Sequence, residues 1–162
     1  MTVDIRQVYE EIRSDEGQVL FAYLCSEGHA TIGIGHKILD TEPEKDFQTH
    51  NGWFEDAPDD SGISEDRCYE LFQGDVQIAI DGCQKIYDNW EELPQEMQHV
   101  LVNMCFQLGQ GGLSKFKNFK AAVEDQNWTL SAVEMMDSLW AEHQTTERAL
   151  RLSMRVAALE SK

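Results

Sequence analysis

Met97, Val100, Leu101, Met104, Cys105 and Leu108 form an apolar set too wide around a helix to leave one face for solvent. Such a helix is stable only when other elements surround it. Residues 94–108 therefore read as a buried central helix, opened after Pro94 and stopped at Gly109. The rest of the chain has to supply its cover. Cys68, Phe72, Val76, Ala79, Cys83 and Ile86 mark a stripe that predicts a long helix over 64–88. Its Ser64-Glu65-Asp66 start offers a capping residue and two acids in the first turn. Shorter helices are expected near 118–126 and 130–141. A last one opens at Thr145 or Thr146, with Leu152, Val156 and Leu159 inward.

Ahead of these helices the pattern changes. Val3/Ile5, Val8, Tyr9 and Ile12 predict an amphipathic helix over 3–13, with Gly17 as its stop. Phe21, Tyr23 and Thr31-Ile32-Gly33-Ile34 favour strands within 20–36, turned at Ser26-Glu27-Gly28. Residues 37–63 carry loop signals at Pro43, Asn51-Gly52, Pro58-Asp59-Asp60 and Ser61-Gly62, and are acidic. A small sheet segregated from a set of helices is an α+β arrangement. At 162 residues there is room for one core, not for two domains of usual size.

Charge and motifs exclude several functions. Thirty acids against 13 bases give −17, which argues against nucleic acid, a partner that rewards basic patches. The excess reads as solubility in a salty medium, where repulsion is screened within ~8–10 Å. The four cysteines, 25, 68, 83 and 105, and the five histidines, 29, 36, 50, 99 and 143, show no metal-ligand spacing. Cys68, Cys83 and Cys105 read as buried free thiols. The acidic stretch 55–60 lacks the alternation of a calcium loop, and Gly33-Ile34-Gly35 lacks the third glycine of a dinucleotide fingerprint. No metal and no cofactor are expected. The start Met1-Thr2-Val3-Asp4-Ile5-Arg6 has neither the basic residues nor the apolar run of a signal peptide, so none is expected. No segment approaches the ~20 apolar residues of a membrane-spanning helix, so no membrane insertion is expected.

The chemistry concentrates near the N-terminus. Glu16 falls at the end of the first helix, where the macrodipole disfavours an anion, a setting that suits a general acid. Eight residues separate Glu16 from Cys25, and five separate Cys25 from Thr31. That spacing sets an acid at a helix end facing a nucleophile or water-holder on a hairpin. Cys25 has three readings: a thiolate that attacks, a thiol that holds a water with Thr31, or a buried spectator.

Glu16, Cys25 and Thr31 with Gly33-Ile34-Gly35-His36 resemble the phage lysozymes, whose pattern is Glu, eight residues, Asp or Cys, five residues, Thr. Leu71-Phe72-Gln73-Gly74-Asp75-Val76, Asn103-Met104-Cys105-Phe106-Gln107-Leu108-Gly109, Trp140, Gln144-Thr145 and Arg148-Ala149 extend the resemblance over nearly the whole chain. Between Trp140 and Arg148 the chain carries one extra residue and lacks a proline common in the family. The resemblance implies a single lysozyme-like domain over 1–162, of the α+β class. A small β-sheet lobe (14–63) and a larger helical lobe (89–162, with the helix 3–13) would be joined by the helix 64–88, with a cleft between. It implies Glu16 as acid, Cys25 and Thr31 on the opposite side of the sugar, and supporting roles for Gln107, Phe106, Arg148, His36 and Asp75. Arg148 would pair with Glu16, Arg151 with Asp15, and His36 with Asp75. The implied activity is hydrolysis of the β-1,4 bond of bacterial peptidoglycan between N-acetylmuramic acid and N-acetylglucosamine. The implied setting is a monomeric endolysin, held in the host cytoplasm until a holin releases it to the wall. Rival readings are a lytic transglycosylase and a non-catalytic binding or virion module of the same fold.

Overall fold

The computed structural model describes residues 2–49, 62–138 and 146–161. The acidic stretch 55–60, His50, His143, Trp140, Gln144 and Thr145 lie outside the described residues. The fold is α+β, with six α-helices and one three-stranded antiparallel sheet among the described residues. It divides into a sheet unit, Ile5–Asp75, and a helical unit, Met1–Asp4 with Val76–Lys162.

In the sheet unit, helix α1 (Ile5–Glu16) buries Val8, Tyr9 and Ile12. The Tyr9 ring meets Tyr69 and Phe72 edge-on, with centroids 4.9 and 5.1 Å apart. Strands β1 (Val19–Leu24), β2 (Ala30–Gly33) and β3 (His36–Lys37) follow in spatial order. Pairing shifts register between Val19↔Gly33 and Tyr23↔Thr31, so β1 is irregular at its centre. A small core of Ala22, Ile32 and Leu71 lies beneath, edged by Ile38, Phe47 and Ile63. Gly62 bridges to Phe21, and a Cβ there would meet the Phe21 ring at 3.2 Å. The stretch expected to be all loop contains a 3₁₀ turn at Pro43–Asp46. Its buried Glu44 accepts from Arg67 Nε at 2.5 Å and Nη2 at 3.2 Å.

Arg67 belongs to α2 (Glu65–Ile86), and the division between the units falls inside this helix, after Asp75. In the helical unit, α3 (Gln95–Leu113) has every residue from Met97 to Cys105 buried, as its width of apolar residues demands. Each such apolar side chain contributes roughly 1.5–3 kcal/mol. Gly109, at φ +76 and ψ 165, breaks the helix where the glycine stop was expected. Helices α4 (Lys117–Glu124), α5 (Trp128–Met136) and α6 (Thr146–Ala157) follow among the described residues of the unit. The Asn127 side chain caps α5 by accepting from Leu130 N at 3.0 Å, and Glu160 accepts from Thr129 N at 3.0 Å. Helix α5 stops at Met136, short of the expected 141, with Asp137 in a right-handed cap.

Candidate active site

Glu16 is the last residue of α1, because Gly17 takes φ +82 and its N–H returns to Arg13 C=O at 2.9 Å. A left-handed residue just past a helix is costly for anything but glycine, so the stop is written into the sequence. The carboxylate-bearing residue is thereby exposed at the helix end. Gln18 fastens this corner, donating to Tyr9 Oη at 3.1 Å and to Cys68 Sγ at 3.4 Å.

Cys25 sits where β1 turns toward β2. Its C=O accepts from Gly28 N and its N–H donates to His29 C=O, both at 2.9 Å, while Gly28 holds φ +83. This turn with a left-handed glycine aims further N–H groups at the sulfur. Hydrogen bonding from the backbone of His29, then of Glu27, holds the Cys25 thiol below its ordinary value. Slight burial opposes that, and the Thr31 hydroxyl adds to it. Thr31 is buried, and its one hydroxyl proton is given to His29 C=O at 2.9 Å. A thiolate at Cys25 is the stronger acceptor, so the proton can turn to it as the sulfur ionises. The half-buried Cys25 stays open to a reacting group, while Cys68, Cys83 and Cys105 are free and buried.

His36, on β3, is held by two carboxylates. Nδ1 lies 2.7 Å from Asp75 Oδ2, and Nε2 lies 2.8 and 3.0 Å from the two Glu42 oxygens. Burial pulls the imidazole down, but the bonds to Asp75 and Glu42 outweigh it and raise it to about 9. His36 is therefore an imidazolium at neutral pH, and both ring nitrogens donate. Glu42 also accepts from Leu39 N at 2.7 Å, which ties the segment after β3 to the clasp.

In the helical unit, Phe106 and Gln107 lie half-buried on α3 just before the Gly109 break. Arg148, on α6, is buried and donates from Nε to Asn103 Oδ1 at 2.8 Å, with Nη2 3.4 Å from Asn103 C=O. Asn103 stands one turn before Gln107 on the same helix face. Among the described residues no group of three or more His, Cys, Asp or Glu could hold a metal ion, and no helix is long and apolar enough to cross a membrane.

Residues 13–155 match the phage lysozyme family. The chain belongs to that family. The pre-baseplate central spike protein Gp5 of Enterobacteria phage T4 is 33% identical over 154 residues. That match takes in 90% of this chain and 26% of the spike protein, so the chain spans about a quarter of that relative. Two probable T4-type lysozymes of Dictyostelium discoideum are 29% and 27% identical over 160 and 164 residues, covering 91% of this chain and 92% of each relative. Family membership supports a lysozyme-type, muramidase-like function.

Within this phage-lysozyme chain the sheet unit holds Glu16, Cys25, Thr31, His36 and Asp75, and the helical unit holds Phe106, Gln107 and Arg148. Three residues with polar work escape a reading of the sequence. Glu42 supplies the second clasp on His36, and nothing in its loop setting announces it. Asn103 takes Arg148, and its one signal is a polar residue inside an apolar run. Tyr23, half-buried near the end of β1, has its phenol pushed above the ordinary value by burial first and then by the charges of Cys25 and Glu16, and its one signal is the two-residue spacing to Cys25.

Proposed function

We propose that the chain is a glycoside hydrolase cutting the β-1,4 bond between N-acetylmuramic acid and N-acetylglucosamine in bacterial peptidoglycan. Glu16 gives its proton to the leaving oxygen, and Cys25 with Thr31 serves the anomeric carbon. The observation that carries the reading is the hairpin site: a half-buried thiol made more acidic by two backbone N–H groups and Thr31, in the same unit as an acid at a helix end. Attack by the Cys25 thiolate forms a glycosyl-thioether that water later opens, giving retention. A water held by Cys25 and Thr31 gives inversion instead.

The biological setting we propose is an endolysin: a monomer that stays in the host cytoplasm until a holin releases it to the wall. A second reading is favoured by the spike-protein relative, in which a segment like this chain is part of a larger virion component. Product analysis on purified peptidoglycan tests the enzymatic reading. Reducing-end muramic acid is expected from the native chain, with the rate falling about a hundredfold to ten-thousandfold in Glu16→Gln. The first anomer released separates retention from inversion, and full activity in Cys25→Ala removes both roles of the cysteine. Anhydro-muramic products would make the protein a lytic transglycosylase. No cleavage at any salt concentration would leave the virion or binding module as the reading.

A further inference from the structure

Gln18 stands between Gly17, the stop of α1, and Val19, the first residue of β1. Its half-buried amide donates to Tyr9 Oη at 3.1 Å and to Cys68 Sγ at 3.4 Å. Tyr9 belongs to α1 and Cys68 to α2, and both are buried. The same sulfur lies against the hairpin: a Cβ on Gly33 would meet Cys68 Sγ at 3.1 Å, and Gly33 pairs with Val19 across β1 and β2. One amide therefore ties α1, α2 and the root of the hairpin together. On the helix side of the corner, Gly17 is fixed by its bond to Arg13 C=O at 2.9 Å. Glycine has the widest choice of φ and ψ, so the angle at which the chain leaves α1 needs a second fastening beyond it. Gln18 supplies that fastening two residues from Glu16.

We propose that Gln18 is a positioning residue for the reaction, whose amide sets the end of α1, with Glu16, against the hairpin that carries Cys25 and Thr31. The proposal rests on the hydrolase reading above. Gln18 gives no proton to the sugar and acts only through the backbone corner that it holds. The separation between the acid and the group on the opposite side of the sugar differs by only a few ångströms between retaining and inverting enzymes, so small errors there matter. A displacement of about 1 Å can cost a hundredfold in rate. An apolar side chain of equal length would fill the same space, but packing has no direction. The two hydrogen bonds fix both distance and angle, which is what a glycine joint lacks.

The test uses the full chain on soluble peptidoglycan fragments, with kcat and KM read well below Tm. Gln18→Met keeps the length of the side chain and removes the amide. Its kcat is expected to fall about tenfold with KM within about twofold, since alignment is lost and binding is not. Tyr9→Phe combined with Cys68→Ala leaves Gln18 in place without its two acceptors, and a similar loss of kcat is expected. All three changes together should lose no more than Gln18→Met alone, because the same interaction is removed from either side. An unchanged kcat with a lowered Tm overturns the positioning role, as does a raised KM at constant kcat or a fully additive loss in the triple variant. Where Gln18→Met fails to fold, the acceptor variant decides by the same readings. An inactive Glu16→Gln beside an unimpaired Gln18→Met leaves the hydrolase reading standing, and full activity in Glu16→Gln overturns the hydrolase reading itself.

Discussion

The sheet unit and the helical unit are stabilised by different physics. In the helical unit nine successive residues of α3, Met97 to Cys105, are buried, and the polar ones among them bond locally or to a neighbour: Gln98 to Trp90 C=O at 2.8 Å, His99 to Asp4 N at 3.0 Å, Asn103 to Arg148. Among the described residues the sheet unit buries nine apolar residues against twenty-four in the helical unit, and it adds charged clasps, His36 between Asp75 and Glu42, and Arg67 on Glu44. It also carries seventeen acids against five bases, where the helical unit carries thirteen against eight. A packed unit is sensitive to volume, and a clasped unit is sensitive to protons and salt. The candidate catalytic groups Glu16, Cys25 and Thr31 belong to the second kind.

The largest effect is expected from a cavity in the packed unit. Leu101 is fully buried, so Leu101→Ala should cost roughly 2–5 kcal/mol in urea unfolding. The cost should be the same at pH 6 and pH 9; a pH-dependent cost would break the contrast. His36→Gln attacks the clasped unit. The folded imidazole titrates at about 9, above the ~6.5 of an unfolded histidine, so its stabilisation is fully present below ~6.5 and is lost as pH rises through 9. That window is worth about 3 kcal/mol, so His36→Gln should be most damaging near pH 6 and close to harmless above pH 9.5. A penalty that stays flat across this range would make His36 a packing residue.

The Glu44–Arg67 pair bounds the same unit from the acid side. The Arg67 guanidinium holds the Glu44 carboxyl below its ordinary value, so its contribution is present above ~4.5 and is lost as pH falls through the folded value. Backbone geometry gives a smaller effect. Gly33 takes φ +71, and a Cβ there would lie 3.1 Å from Cys68 Sγ, so Gly33→Ala should cost about 1–2 kcal/mol. The smallest effect is from salt. Screening the acidic excess from 0.05 to 0.5 M should raise amide protection in the sheet unit by less than about 1 kcal/mol and in the helical unit by less still. Equal responses in hydrogen exchange would show that the charge imbalance does not distinguish them. A steep loss of bacteriolytic activity over the same range would end the reading of the −17 charge as an adaptation to salt.

Much of this was legible in the chain because it is local. The Glu16 helix end depends on Gly17, the Cys25 corner on Gly28 four residues from β1's end, and the α3 stop on Gly109. Each is a backbone conformation that one glycine makes cheap, so it can be read from neighbours in sequence. The buried α3 was legible because apolar residues around a whole helix have a single stable place. The acid, thiol and threonine follow, since a helix end and one hairpin carry all three. The clasps were not legible from the residues alone. His36 meets Asp75 across 39 positions, Arg148 meets Asn103 across 45, and Arg155 meets Glu96 across 59 at 2.5 Å. A charged side chain has many acceptable partners in a chain with thirty acids, and loop closure discriminates only weakly by distance along the chain. Which partner wins is decided when the apolar faces pack and bring one carboxylate, rather than another, within hydrogen-bond reach. Local backbone chemistry determined where the candidate site begins, and packing decided which charges hold it in place.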